Sequence, residues 1–218
     1  MKIIIGLVAE KESGKTTTFN LIKSELPSAQ ELMLAEHLKE VCAKVFNMDL
    51  NCFESQAEKK KVLSSPFVLT SIQIKSLANL FELSITDQQV DKHIGKTLTT
   101  TREVLQYVGT DIMRAIDDDI HLKWAMKRAP ESDTYVVTDI RFPNEFDFFA
   151  KESGFLPFSI DRKKQDEFDS SSSHASETHI PNLKKRCLAE LNNNGTIESL
   201  KHQIDKLVVS RVFILKNR

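Results

Sequence analysis

The stretch Lys2-Ile3-Ile4-Ile5-Gly6-Leu7-Val8-Ala9-Glu10-Lys11-Glu12-Ser13-Gly14-Lys15-Thr16-Thr17 decides the fold of this chain. Ile3 to Ile5 form a continuous β-branched run that resumes at Leu7 and Val8, the pattern of a strand buried on both faces of a parallel sheet. Glu10-Lys11-Glu12 cut the apolar run too early for a secretory signal. Phe19, Ile22 and Leu26 then recur at helical spacing until Pro27 ends the pattern. Between strand and helix, Ala9, four intervening residues and Gly14-Lys15-Thr16 have the spacing of a phosphate-binding loop, with Ala9 in place of its first glycine. Such a loop turns main-chain N–H groups inward around an anion. Gly14 permits close approach of backbone to phosphate, and the helix from Lys15 aims the positive end of its dipole at the same point. Lys15 is placed to reach the β and γ phosphates of a nucleotide, and the Thr16 hydroxyl to ligate Mg2+. Ala9, Lys11, Glu12, Ser13, Gly14, Lys15, Thr16 and Thr17 are therefore the candidate nucleotide contacts.

Composition narrows the alternatives. The chain has 218 residues, with 30 Lys and Arg against 31 Asp and Glu for a net charge of −1, and 40% hydrophobic residues. That is an ordinary globular balance, sufficient for one domain with an excursion. A balanced charge provides no electrostatic footprint for sequence-independent nucleic-acid binding, so no nucleic-acid partner is expected. Cys42, Cys52 and Cys187 are scattered and lack a Cys-x-x-Cys pair, which argues against a disulfide framework or a zinc ribbon. No stretch reaches the roughly 18 to 20 apolar residues that span a bilayer. A soluble protein without a membrane partner, in a reducing cytoplasm, is the expectation; for a viral protein this is the host cytoplasm.

Further along, strands alternate with helices, which predicts a three-layer α/β fold. Gln30 to Leu34 reads as a second strand, followed by Leu38, Val41, Cys42 and Val45 on one helical face. From Met48 to about Thr100 the pattern is charged and helical-looking, without an obvious buried strand, and is expected to be a helical insertion. The core would then comprise residues 1–47 and 101–218, with 48–100 inserted over one sheet edge as part of the acceptor-binding region. Thr101 to Ala115 and Asp118 to Ala129 read as helices, with Asp117-Asp118-Asp119 as helix-start chemistry rather than a metal cluster. Thr134 to Thr138 and Phe155 to Ile160 read as the third and fourth strands, Cys187 to Leu191 as a fifth, and Ile197 to Val208 as a final amphipathic helix.

A second constellation, Asp139-Ile140-Arg141-Phe142-Pro143-Asn144-Glu145, lies at the carboxyl end of the third strand, where open α/β sheets place their ligand crevice. Asp139 suits a place in the Mg2+ shell. Arg141 can fork onto an acceptor phosphate in a geometry that Lys cannot supply. A structural Asp-Arg pair in a turn is the alternative reading of the same residues.

Four segments together resemble the deoxynucleoside monophosphate kinases of bacteriophages, within the broader phosphate-loop kinases. They are Ser13-Gly14-Lys15-Thr16-Thr17, Arg102-Glu103-Val104-Leu105-Gln106-Tyr107-Val108-Gly109-Thr110-Asp111, Asp139 to Glu145, and His174-Ala175-Ser176-Glu177. The resemblance implies a parallel five-stranded sheet, ATP with Mg2+ as donor, and a deoxynucleoside monophosphate as acceptor. It further implies that Arg102, Gln106 and Asp111 lie in the acceptor pocket, with Arg141 near the acceptor phosphate and Lys39 contributing from the segment after the second strand. Arg162 falls where such kinases carry a lid arginine, in a lid around residues 162–177, and Ser176 and Glu177 would order that lid at the substrate. Asn193-Asn194-Gly195-Thr196 resembles the turn that borders adenine, which makes Asn194 and Thr196 candidate ATP contacts, although Thr196 equally suits a helix N-cap. Homodimers are common in the family. Two other readings keep the loop: a kinase of another small phosphorylated metabolite, and a nucleotide-binding module without turnover.

Overall fold

A computed structural model describes residues 2–163 and 178–217. It divides the chain into two compact units, Met1–Met33 with Ala129–Arg218, and Leu34–Arg128. The described strands are β1 (Ile3–Val8), β2 (Gln30–Leu32), β3 (Val62–Val68), β4 (Thr97–Thr100), β5 (Thr134–Ile140), β6 (Phe155–Asp161) and β7 (Ala189–Asn192). The described helices are α1 (Lys15–Glu25), α2 (Glu36–Phe46), α3 (Gln56–Lys60), α4 (Ser71–Leu80), α5 (Asp87–Asp91), α6 (Thr101–Gln106), α7 (Ile120–Arg128), α8 (Pro143–Phe149), α9 (Ile180–Lys184), α10 (Ile197–Ile204) and α11 (Ser210–Lys216).

The first unit is built on a five-stranded sheet in the order β2-β5-β1-β6-β7, in which every pairing is parallel. Each residue of β1 is buried, as its unbroken apolar run predicts for a strand covered on both faces. Its odd-numbered side chains, Ile3, Ile5 and Leu7, share one cluster with Ile22 and Leu26 of the α1 segment and with Leu200, Ile204, Val208 and Val212. The last four come from α10, a π-helical stretch over Asp205–Val209, and α11, which together give the C-terminal amphipathic face expected from the sequence. On the other face, Phe146 and Phe149 of α8 pack their rings on Phe155 at 5.2 and 6.0 Å between centroids. These are the three layers of the α/β fold.

Register brings the strand ends together. Val8 pairs with Ile140 on one side and Ser159 on the other, and Asp161 pairs with Asn192. The chain segments that leave β1, β5, β6 and β7 thus emerge at the same carboxyl edge of the sheet, where such folds bind ligands.

The second unit has its own core of Leu38, Val41, Cys42, Phe46, Phe53, Ile74, Leu77, Phe81, Val104, Val108, Ile112 and neighbours. It extends beyond the expected 48–100 insertion because α2 and α6 place Leu38, Val41 and Val104 in that one cluster. The stretch from Met48 to Thr100, expected to be helical and without an obvious buried strand, is not wholly helical: β3 and β4 form an antiparallel pair. Val62, Ser64, Ser65, Pro66 and Val68 are exposed, so no buried apolar run marks β3, and Pro66 coincides with an irregular register. The helix from Thr101 is likewise shorter than expected, ending at Gln106 and continuing as a π-helical stretch over Tyr107–Arg114. Asp117 accepts a hydrogen bond from the Asp119 N–H just ahead of α7, so the acidic run is helix-start chemistry. All three cysteines are free, and burial pushes the Cys42 thiol far above its ordinary range. Among the described residues no helix is long and apolar enough to cross a membrane.

Phe158 of β6 is fully buried in the first unit's cluster. Phe158→Ala removes that packing and is expected to lower the unfolding free energy by about 3–5 kcal/mol in urea titrations. A loss below about 1 kcal/mol would contradict the central position of β6.

Candidate active site

The loop between β1 and α1 has the conformation that its composition predicts. Gly14 lies in the left-handed region at φ 94, the αL geometry that glycine adopts without strain, and Glu12 also has positive φ at 64. Gly14 stands at the N-cap of α1 and, as glycine, has no side chain of its own to cap that helix start. An anion is a suitable acceptor for main-chain N–H groups at such a helix start. The Ser13 hydroxyl donates to the Glu10 carbonyl at 2.8 Å and closes the turn from within. The Lys15 ammonium reaches back from the helix to donate to the carbonyls of Ala9 at 3.0 Å and Glu10 at 2.6 Å, which holds it across the loop. Lys11 and Ser13 are buried, whereas Thr16 and Thr17 are exposed on the first turn of α1. Thr18 anchors that turn by donating both its N–H and its hydroxyl to the Gly14 carbonyl, at 2.9 and 3.0 Å.

The turn after β5 is braced by a residue the sequence reading quoted without a role. Glu145, buried within α8, accepts from the main-chain N–H groups of Arg141 at 2.8 Å and Phe142 at 3.0 Å. Its position three residues after Phe142, with Pro143 opening the helix, is the signal that identifies it as a capping glutamate. Asp139 and Arg141 are both part-exposed on this turn, and the pairing of Val8 with Ile140 sets it beside the end of β1. Thr138, one residue earlier, donates to the Glu31 carboxylate at 2.8 Å and ties β5 to β2.

The turn after β7 meets the same loop. Asn193 donates from Nδ2 to the Ser13 carbonyl at 2.8 Å. Asn194 accepts at Oδ1 from the Lys163 N–H at 2.6 Å and donates from Nδ2 to the Asp161 carboxylate at 3.1 Å. Thr196 caps α10 by accepting from the Ser199 N–H, the structural alternative anticipated for it. Arg162 is exposed at the end of β6, with its guanidinium Nη1 4.0 Å from the position a Cβ on Gly14 would occupy. Ser176 and Glu177 lie outside the described residues. The first unit thus joins the 9–17 loop to the 193–194 turn by direct contact, with Arg162 close to Gly14 and Asp139 and Arg141 on the adjoining strand end.

The remaining candidates belong to the second unit. Lys39 on α2 forms an ion pair with Glu54 at 3.6 Å. Arg102 and Gln106 stand four residues apart on α6, hence on one face, and Asp111 is exposed on the π-helical stretch. Such stretches widen a helix locally and recur at functional positions. This one is gripped by His121, whose Nε2 lies 3.1 Å from the Gly109 carbonyl; since the carbonyl accepts, Nε2 carries the proton. Gly109 has no room for a side chain there, because a Cβ would lie 2.6 Å from Leu38 Cδ2. Nδ1 of His121 is buried without a partner, and burial lowers the imidazole pKa from 6.5 to about 4, with Arg114 and His37 acting in the same direction against the Gly109 bond.

Thr16 and Asp139 offer one hydroxyl and one carboxylate. Among the described residues no group of three or more His, Cys, Asp or Glu is arranged to hold a metal ion. A sparse oxygen set of this kind fits Mg2+, which keeps most of its waters and shares phosphate oxygens, and does not fit a dedicated zinc site.

A parallel α/β unit whose glycine loop opens a helix at the sheet's carboxyl edge defines a nucleotide-phosphate-binding protein. The sequence profile of the deoxynucleotide monophosphate kinase family matches residues 51–204, and the chain belongs to that family. It is an enzyme, a phosphotransferase acting as a nucleotide kinase. Over 218 aligned residues it is 28% identical to a provisionally designated deoxynucleotide monophosphate kinase of Acanthamoeba polyphaga mimivirus, covering 93% of this chain and 94% of the other. Among solved structures it is similar to TT1252 from Thermus thermophilus, with a TM-score of 0.49, 15% identity and 96% and 97% of the two chains covered. Dephospho-CoA kinase from Campylobacter jejuni aligns with a TM-score of 0.41, 12% identity and the same coverage.

The His121 geometry generates a pH test. Its folded pKa lies below its unfolded value, so the neutral ring stabilises the fold fully above pH 6.5, and that stability is lost as pH falls toward about 4. The contribution at neutral pH is on the order of 3 kcal/mol. His121→Gln keeps a donor for the Gly109 carbonyl but cannot titrate. Urea titrations between pH 7 and 4 are expected to show a shallower loss of stability for the variant; parallel curves would contradict the buried neutral imidazole.

Proposed function

We propose that this chain transfers the γ-phosphoryl group of ATP to a deoxynucleoside monophosphate and yields the diphosphate, with Mg2+ required. The observation that carries this reading is the left-handed Gly14 at the start of α1, with the Lys15 ammonium held across the loop. Family membership supports the acceptor class.

In this reading the amides of the 9–17 loop bind the donor phosphates, and Lys15 exchanges its bonds to the Ala9 and Glu10 carbonyls for the β and γ oxygens. Charge on the transferring group is neutralised as it develops, which is the main demand of phosphoryl transfer. Thr16 and Asp139 would hold Mg2+, which would supply further neutralisation of phosphate charge. Arg141, on a turn that Glu145 holds rigid, forks onto the acceptor phosphate. Arg162 lies near Gly14 and adds positive charge on the donor side. Arg102, Gln106, Asp111 and Lys39 recognise the acceptor nucleotide, with Ser176 and Glu177 completing its binding. Asn194 and Thr196 border the adenine. No general base is needed, because the acceptor phosphate is already anionic. Homodimer formation is part of the proposal, as is a cytoplasmic location.

Lys15→Ala is expected to lower kcat about a hundredfold or more in a coupled ADP-release assay across the deoxynucleoside and ribonucleoside monophosphates. Near-normal turnover would contradict the loop's role, and transfer to no nucleoside monophosphate would contradict the acceptor class. Arg141→Lys retains the charge but loses the fork, and should raise the acceptor KM about tenfold with little change for ATP. An effect confined to ATP would refute its assignment to the acceptor.

A further inference from the structure

We infer that Asn193 is a positioning residue of the phosphate loop, setting the direction of the Gly14 N–H by holding the carbonyl on the other side of the same peptide bond. This deepens the reading above and rests on the loop being the seat of the donor phosphates.

The Ser13–Gly14 peptide is planar and trans, so its C=O and its N–H point in opposite directions. Asn193 Nδ2 donates to the Ser13 carbonyl at 2.8 Å and fixes one end of that plane. The assignment of nitrogen rather than oxygen follows from chemistry, since a carbonyl oxygen can only accept. The Gly14 N–H at the other end is thereby held in one orientation. Glycine makes such a clamp necessary: the residue that allows the left-handed turn also allows the peptide to rotate away from it, and it loses more conformational freedom on ordering than any other residue.

Asn193 is itself immobilised. Its N–H donates to the Asp161 carbonyl at 2.8 Å, and the next residue, Asn194, bonds to the Lys163 N–H and the Asp161 carboxylate. The backbone at the end of β6 therefore braces the clamp from behind. The fit is steric as well as polar. A Cβ on Gly14 would collide with Asn193 Nδ2, so the amide occupies the volume that the missing side chain leaves vacant. Gly14 and Asn193 form a matched pair from opposite ends of the chain. Thr70, whose hydroxyl accepts from the Gln73 N–H at 3.2 Å to cap α4, has no part in the loop or its turns and supplies a structural control.

The test compares Asn193→Ala, Asn193→Asp, Thr70→Ala and Lys15→Ala by equilibrium binding of a fluorescent ATP analogue with Mg2+, by steady-state kinetics and by thermal melting. Asn193→Ala is expected to weaken nucleotide binding and raise the ATP KM about tenfold, with the acceptor KM within twofold. Asn193→Asp keeps the shape but turns a donor into an acceptor that faces the Ser13 carbonyl, and should weaken binding at least as much. Thr70→Ala should lower the melting temperature without changing ATP affinity. ATP affinity within twofold of wild type in both Asn193 variants would overturn the inference, whatever their melting temperatures. If Lys15→Ala alone loses nucleotide, only the Asn193 role fails; if all the variants retain it, the loop assignment fails with it.

Discussion

The structure depends on one backbone constraint, a left-handed glycine between the middle strand of a parallel sheet and the first turn of a helix. Gly14 allows the chain to reverse within a few residues of Val8 and to begin α1 with its amides toward the carboxyl edge of the sheet. Parallel pairing sends the exits of β5, β6 and β7 to that same edge, so the turn carrying Asp139 and Arg141, the end of β6 and the 193–194 turn become neighbours of the loop. Residues from widely separated parts of the chain are collected by sheet order alone.

Polar bracing holds the loop in shape. Ser13 closes it from within, Thr18 anchors the helix start, and Asn193 holds the Ser13 carbonyl from outside. Glu145 does the same for the turn that presents Arg141. Electrostatic stabilisation of a moving phosphoryl group is effective only when donors are already in place, because reorganising them costs free energy at the moment of transfer.

The sheet was legible in the sequence because strands buried on both faces leave continuous apolar runs, as Ile3 to Val8 and Phe155 to Ile160 do. The phosphate loop was legible because its spacing reflects a single backbone shape. The β3–β4 pair left no such trace, since Val62, Val68 and the residues between them are mostly exposed and alternate in no clear pattern. Neither did the π-helical stretch at Tyr107–Arg114, where Gly109 lies against Leu38 and its carbonyl meets His121, contacts from residues distant in the sequence. Asn193 lies 180 residues from Ser13, and only the register of β6 with β7 makes them partners. Its signal was the Asn-Asn-Gly turn, readable as a turn but not as a clamp.

Calorimetric titration with ATP, ADP, AMP and adenosine tests most directly whether main-chain amides at the head of α1 hold a polyphosphate. If they do, affinity should rise about tenfold or more on adding the β-phosphate, and the gain should vanish in Lys15→Ala. Adenosine or AMP binding as tightly as ATP to the wild-type chain would contradict the account.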